Sequence, residues 1–102
     1  MENKEKKIQE IQILEQNLQN ILLQKQAFNM ELSETKAAKH EVENSGDDVF
    51  KIIGQLMIKS DKSKIVAELS NKERLLDLRV KSLEKQEIIL TEKIDSIRKE
   101  FF

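Results

Sequence analysis

From Ile11 onward, apolar residues recur at alternating steps of three and four. Ile11, Leu18 and Leu32 form one row, and Leu14, Ile21, Phe28 and Val42 form the other; Lys25, Thr35 and Lys39 interrupt them. The second half repeats the pattern more cleanly. Leu69, Leu76, Leu83, Leu90 and Ile97 fall every seventh residue, beside a companion row of Glu73, Val80, Glu87, Ile94 and Phe101. A heptad stripe sustained over about four repeats is the signature of a coiled-coil face. The spacing predicts a helix over about 3–44 and another over about 63–101, each about 60 Å long at 1.5 Å per residue. Two arms of equal length around a midpoint imply an antiparallel pair.

The phases of the two stripes favour a register folded about Gly54. In it Leu32 meets Leu76, Phe28 meets Val80, Leu18 meets Leu90, Leu14 meets Ile94 and Ile11 meets Ile97. Thr35 then faces Glu73, and Lys25 lies one layer from Glu87, within reach of an ion pair. A slip of one heptad would instead set Glu87 against Phe28. The polar interruptions read as register control or as lysines snorkelling from the seam.

At the midpoint the period changes. "ENSGDD", Glu43 to Asp48, ends the first helix with Asn44, Ser45 and Gly46, and Gly46 is suited to a left-handed cap. Val49, Phe50, Ile52 and Ile53 are strand formers; Gly54-Gln55 suits a two-residue type II′ loop; Leu56, Met57 and Ile58 return. Residues 48–60 therefore predict a β-hairpin, apolar on both faces. A lone hairpin is marginal in water, and one with two apolar faces and open edges invites pairing with other chains in a shared sheet or barrel. Ser60, Asp61 or Ser63 caps the second helix.

Composition sharpens this picture. The 102 residues are 36% charged, 38% hydrophobic and only 4% aromatic, with no Pro, Trp, Tyr or Cys. That is a rod's composition and a single domain, 1–102: mainly α, a long antiparallel two-helix coiled coil with one central β-hairpin. A net charge of −1 from well-mixed charges supplies no basic face for nucleic acid. No apolar run reaches the roughly 20 residues of a membrane span, and the start "MENKEKKIQE" has no apolar core of a secretory signal. A soluble cytoplasmic protein is expected.

Catalytic chemistry has little to stand on. His40 is the one histidine and sits among charged residues; Gly46 and Gly54 are isolated turns, not a phosphate loop. The carboxylates read as solvated faces paired with lysines, and Met30 and Met57 as packing residues. Neither a metal, a cofactor nor enzymatic activity is expected.

"QKQAFNMELSETKAAKHEVE" followed by "DDVFKIIGQLMIKSDKSKIVAELSNKERLLDLRVKSLEKQE" resembles the prefoldin β-type subunit family across nearly the whole chain. The hairpin with its flanks carries the resemblance, since heptads alone are weakly specific, and one hairpin rather than two indicates the β type. Gln55 departs from the family, many of whose members have Pro or a small turn residue there. The resemblance implies an ATP-independent chaperone that holds unfolded proteins and hands them to a group II chaperonin. Two α-type and four β-type subunits would join through hairpins in a double β-barrel, with six arms gripping the client by their tips.

The residues themselves also mark the tips. In the register about Gly54, Phe101 faces Lys7, and the preceding seam position is Lys4. Ile8, Ile11, Ile13 and Leu14 on one arm, with Ile88, Ile89, Ile94, Ile97, Phe101 and Phe102 on the other, exceed what one seam buries, because Ile13 and Ile89 lie off both rows. These ten are the expected client-binding residues, and Val49, Phe50, Ile52, Ile53, Leu56, Met57 and Ile58 the expected assembly residues. The competing reading is a structural coiled-coil spacer or adaptor whose hairpin only dimerises it.

Overall fold

The computed structural model describes residues 2–102. Its elements are α1 (Glu2–Glu43), β1 (Val49–Ile53), β2 (Leu56–Ser60) and α2 (Lys62–Phe101), the order that the periodicity predicts. Both helices run unbroken because their sequences hold neither Pro nor Gly and are rich in Glu, Lys, Gln and Leu.

The helix ends are set by side chains. At the end of α1 the Asn44 amide nitrogen donates to the His40 carbonyl oxygen at 2.8 Å, and the Ser45 hydroxyl donates to that of Val42 at 2.7 Å. Gly46, expected in a left-handed cap, does not adopt one: among the described residues only Gly54 has a positive φ. Asn44 and Ser45 already satisfy the last carbonyls, so no reversal of φ is needed. Asp61 caps α2, its Oδ1 accepting from the Ser63 backbone N–H at 3.1 Å and from the Ser63 hydroxyl at 2.9 Å.

Two compact units make up the chain: the segments up to Phe28 and from Arg79 to Phe102, and residues Asn29–Leu78. In the first, α1 and α2 lie antiparallel around Ile11, Ile94 and Ile97, against which Leu14, Leu18 and Phe101 pack. Ile21, Val80 and Leu83 are buried in the same rows, with Leu83 the most enclosed side chain. The Lys25 ammonium reaches Glu87 at 2.7 Å, the ion pair anticipated one layer apart, and Arg98 pairs with Glu15.

In the second unit Leu32, Leu76 and Val49 are buried, and so is Thr35, 4% exposed. Thr35 and Glu73, expected to face one another, take separate partners. The Thr35 hydroxyl donates back to the Glu31 carbonyl oxygen at 2.8 Å, and Glu73 takes Lys39 at 3.5 Å. A short hydroxyl finds its nearest acceptor on its own helix, whereas a lysine stem spans the seam.

β1 and β2 pair antiparallel, from Val49 opposite Ser60 to Ile53 opposite Leu56. Gly54 opens the two-residue loop at φ +61°, and Gln55 keeps a negative φ. One positive φ, at the first loop position, fits a type II′ turn and excludes type I′, which needs two.

Candidate functional site

Cross-strand partners share a face of a hairpin. Val49, Ile53, Leu56 and Ile58 lie on one face and Phe50, Ile52 and Met57 on the other. Val49 alone is buried; the other six are between 44% and 70% exposed. Val49, expected among the assembly residues, is enclosed within its own unit and anchors the hairpin there. Lys51 reaching Glu68 at 3.2 Å and Lys62 donating to the Ser45 carbonyl at 2.8 Å hold the same end. Anchored at one end, the hairpin is not folded down on its own helices. It offers two apolar faces, and both strand edges are unpaired in this two-stranded sheet.

The second candidate surface lies at the chain ends, in the first unit. The ten residues expected there divide. Ile8, Ile13, Ile88, Ile89 and Phe102 are exposed; Ile11, Ile94 and Ile97 are buried; Leu14 and Phe101 are half-buried. Ile11, Leu14, Ile94, Ile97 and Phe101 occupy the seam rows and pack there, so the accessible apolar set is the off-seam five. The lysines that interrupt the seam do not splay it. The Lys7 ammonium sits 5.3 Å from the centroid of the Phe101 ring, and Lys4 sits 5.3 Å from that of Phe102. Each cation sits over an aromatic ring at α2's C-terminal end. Ile8, Ile11 and Phe102, with Gln12, Arg98 and Lys99, line an open cleft of about 570 Å³ there.

Met30 was expected to pack, yet it is exposed, as are Leu23, Leu75 and Leu78. Leu23 and Met30 stand seven residues apart and off both seam rows of α1, so the heptad phase already sets them outside the seam. His40 is exposed, as expected. The Lys25 ammonium is held above the usual lysine pKa chiefly by its hydrogen bond to Glu87, against a smaller opposing effect of burial. Among the described residues no cluster of three or more His, Asp or Glu is placed to hold a metal ion, and no helix is long and apolar enough to cross a membrane.

Comparison with known proteins places these surfaces in context. The prefoldin subunit family profile matches residues 5–101. Prefoldin subunit beta of Thermococcus kodakarensis is 40% identical over 90 residues, covering 86% of this chain and 77% of that protein. The crystal structure of the prefoldin beta subunit from Thermococcus strain KS-1 superposes with a TM-score of 0.91 at 36% identity, over 97% of this chain and 89% of that one. The beta2 subunit of the same strain shares the fold, with a TM-score of 0.74 at 16% identity, over 85% of this chain and 95% of that one.

Proposed function

This chain belongs to the prefoldin subunit family, and on that premise we propose that it is the β-type subunit of a cytoplasmic holdase, a chaperone that works without ATP and is not an enzyme. Residues 1–102 act as one prefoldin-like domain. Four copies join two α-type subunits through their hairpins, capture unfolded proteins at the arm ends, and pass them to a group II chaperonin.

The observation that carries this reading is the hairpin with six exposed apolar side chains on two faces. Surface of that kind needs a cover. Burying its remaining exposed area in a shared barrel is worth about 1 kcal/mol for each side chain, at about 25 cal/mol per Å². A spacer that merely dimerised would leave one of the two faces in water. At the arm ends the exposed Ile8, Ile13, Ile88, Ile89 and Phe102 provide aliphatic and aromatic contacts without a shaped pocket. That suits clients whose apolar groups arrive in no fixed geometry, with several weak grips acting together.

The test is made on the complex with its α-type partner. Ile8, Ile13, Ile88 and Phe102 are replaced together by Ser, leaving the buried Ile11, Ile94 and Ile97 untouched. Full-size assembly is expected to persist while suppression of aggregation of a denatured client falls severalfold. Undiminished protection would move client binding elsewhere, and a wild-type chain that stays monomeric or dimeric beside its partner would favour the spacer.

A further inference from the structure

In a chain 36% charged, the stretch Gln16–Met30, "QNLQNILLQKQAFNM", holds a single charge, Lys25, and that ammonium is turned to Glu87. Within the first unit, Asn17, Asn20 and Gln24 of α1 lie at steps of three and four on one helix face. Together with Gln86 of α2 they line a groove of about 450 Å³, floored by Ile21 and Leu90 and edged by Ile89. All four amides are exposed, and none has a hydrogen-bond partner among the described residues. The exposed Ile89 also lines an adjoining groove that runs toward the buried Ile97.

We infer that this groove binds the backbone of an extended, unfolded polypeptide. A carboxamide offers two N–H donors and a carbonyl acceptor, the same groups that a peptide bond presents in complement. A row of uncharged amides therefore satisfies peptide N–H and C=O groups whatever the side chains, while Lys or Glu in their place would select by charge. From Asn17 to Gln24 the helix rises roughly 10 Å, the length of about three residues of extended chain. Ile89 at the edge accepts an apolar side chain as the client backbone passes. The apolar arm ends then select for unfoldedness, and the amide groove, set back from them, supplies affinity that does not depend on sequence. This inference rests on the holdase reading and adds to it the chemical group recognised.

The experiment uses the complete complex with its α-type partner and a labelled nine-residue Ser/Val peptide, alone or N-methylated at alternate residues to remove backbone donors. Wild type is expected to bind the unmodified peptide roughly tenfold more tightly than the methylated one, the scale of one or two net hydrogen bonds. The variant Asn20→Ala/Gln24→Ala/Gln86→Ala should lose most of that preference and bind both peptides alike. Ala is a strong helix former and the sites are exposed, so circular dichroism should be unchanged. As an independent check, Gln24→Glu/Gln86→Glu keeps side-chain shape, removes donors, and should weaken the unmodified peptide in the same direction. A wild type indifferent to methylation, or amide variants that retain its preference, would overturn the groove. If wild type still keeps denatured clients soluble in that case, only the groove falls; if it does not, the holdase reading falls first.

Discussion

Lys25 shows how one polar residue is kept in an apolar seam. Its stem packs and its ammonium is held by Glu87 at 2.7 Å, which raises its pKa. A lysine whose folded-state pKa lies above its unfolded value contributes stability that is fully present below about pH 10.4, the unfolded value. That contribution disappears as pH rises through the higher folded-state value. The melting temperature of the wild type should therefore fall more steeply between pH 9.5 and 11.5 than that of Lys25→Arg, whose guanidinium stays charged throughout. Parallel melting curves for the two proteins would show that the pair adds nothing to stability. Thr35 solves the same problem differently, by bonding to its own helix. Because Glu31 loses no unique partner, Thr35→Val should be neutral or stabilising by up to about 1 kcal/mol in thermal unfolding. These details were only partly legible in the sequence. Heptad rows announce which positions are enclosed, because side-chain direction follows backbone period. They do not announce where a lysine head goes, since its reach covers several layers. For that reason the rows show Lys4 and Lys7 at seam positions but not that their ammonium groups lie over Phe102 and Phe101.

At the level of the helices, the seam charges act as register marks. Lys25 and Lys39 on α1 are two heptads apart, and so are their partners Glu87 and Glu73 on α2. Sliding α2 by one heptad would bring Ile94 or Val80 to Lys25, and Val80 or Val66 to Lys39, stranding both lysines against apolar neighbours. Cysteines introduced at Leu18 and Leu90 should accordingly cross-link within one chain, whereas a pair at Leu18 and Ile97 should react poorly; the opposite preference would establish the slipped register. Phe28 under the Arg79 guanidinium, 5.6 Å from ring centroid to carbon, fits the unslipped pairing. Here the sequence was informative, because two stripes of fixed phase admit few alignments and charges penalise the wrong ones. The hairpin was legible because the β-branched Val49, Ile52, Ile53 and Ile58, set around Gly54, favour strand over helix. The division of the arm-end residues was less so, because apolar residues on and off the seam rows alternate closely there and only the off-seam ones remain exposed.

For the whole molecule, the proposal that subunits associate through the hairpin can be tested directly. Phe50→Asp or Ile52→Asp should leave the far-ultraviolet helical signal intact while abolishing co-assembly with the α-type subunit. Each places an unpaired charge where a covered apolar group is required, at a cost of several kcal/mol. Unaltered complex size in gel filtration would show that the arms, not the hairpin, hold the subunits. The arrangement of contacts has a kinetic consequence as well. Lys51 and Glu68, at the hairpin, are 17 residues apart in sequence; Lys25 and Glu87 are 62 apart, and Glu15 and Arg98 83. Forming the outermost pair first would close the longest loop with nothing to offset its entropy, whereas each pair formed after an inner one adds only a short closure. Folding should therefore nucleate beside the hairpin and run outward like a zip. Leu76→Ala should then slow folding nearly in proportion to the stability it removes, while Ile97→Ala should leave the folding rate almost unchanged and speed unfolding instead.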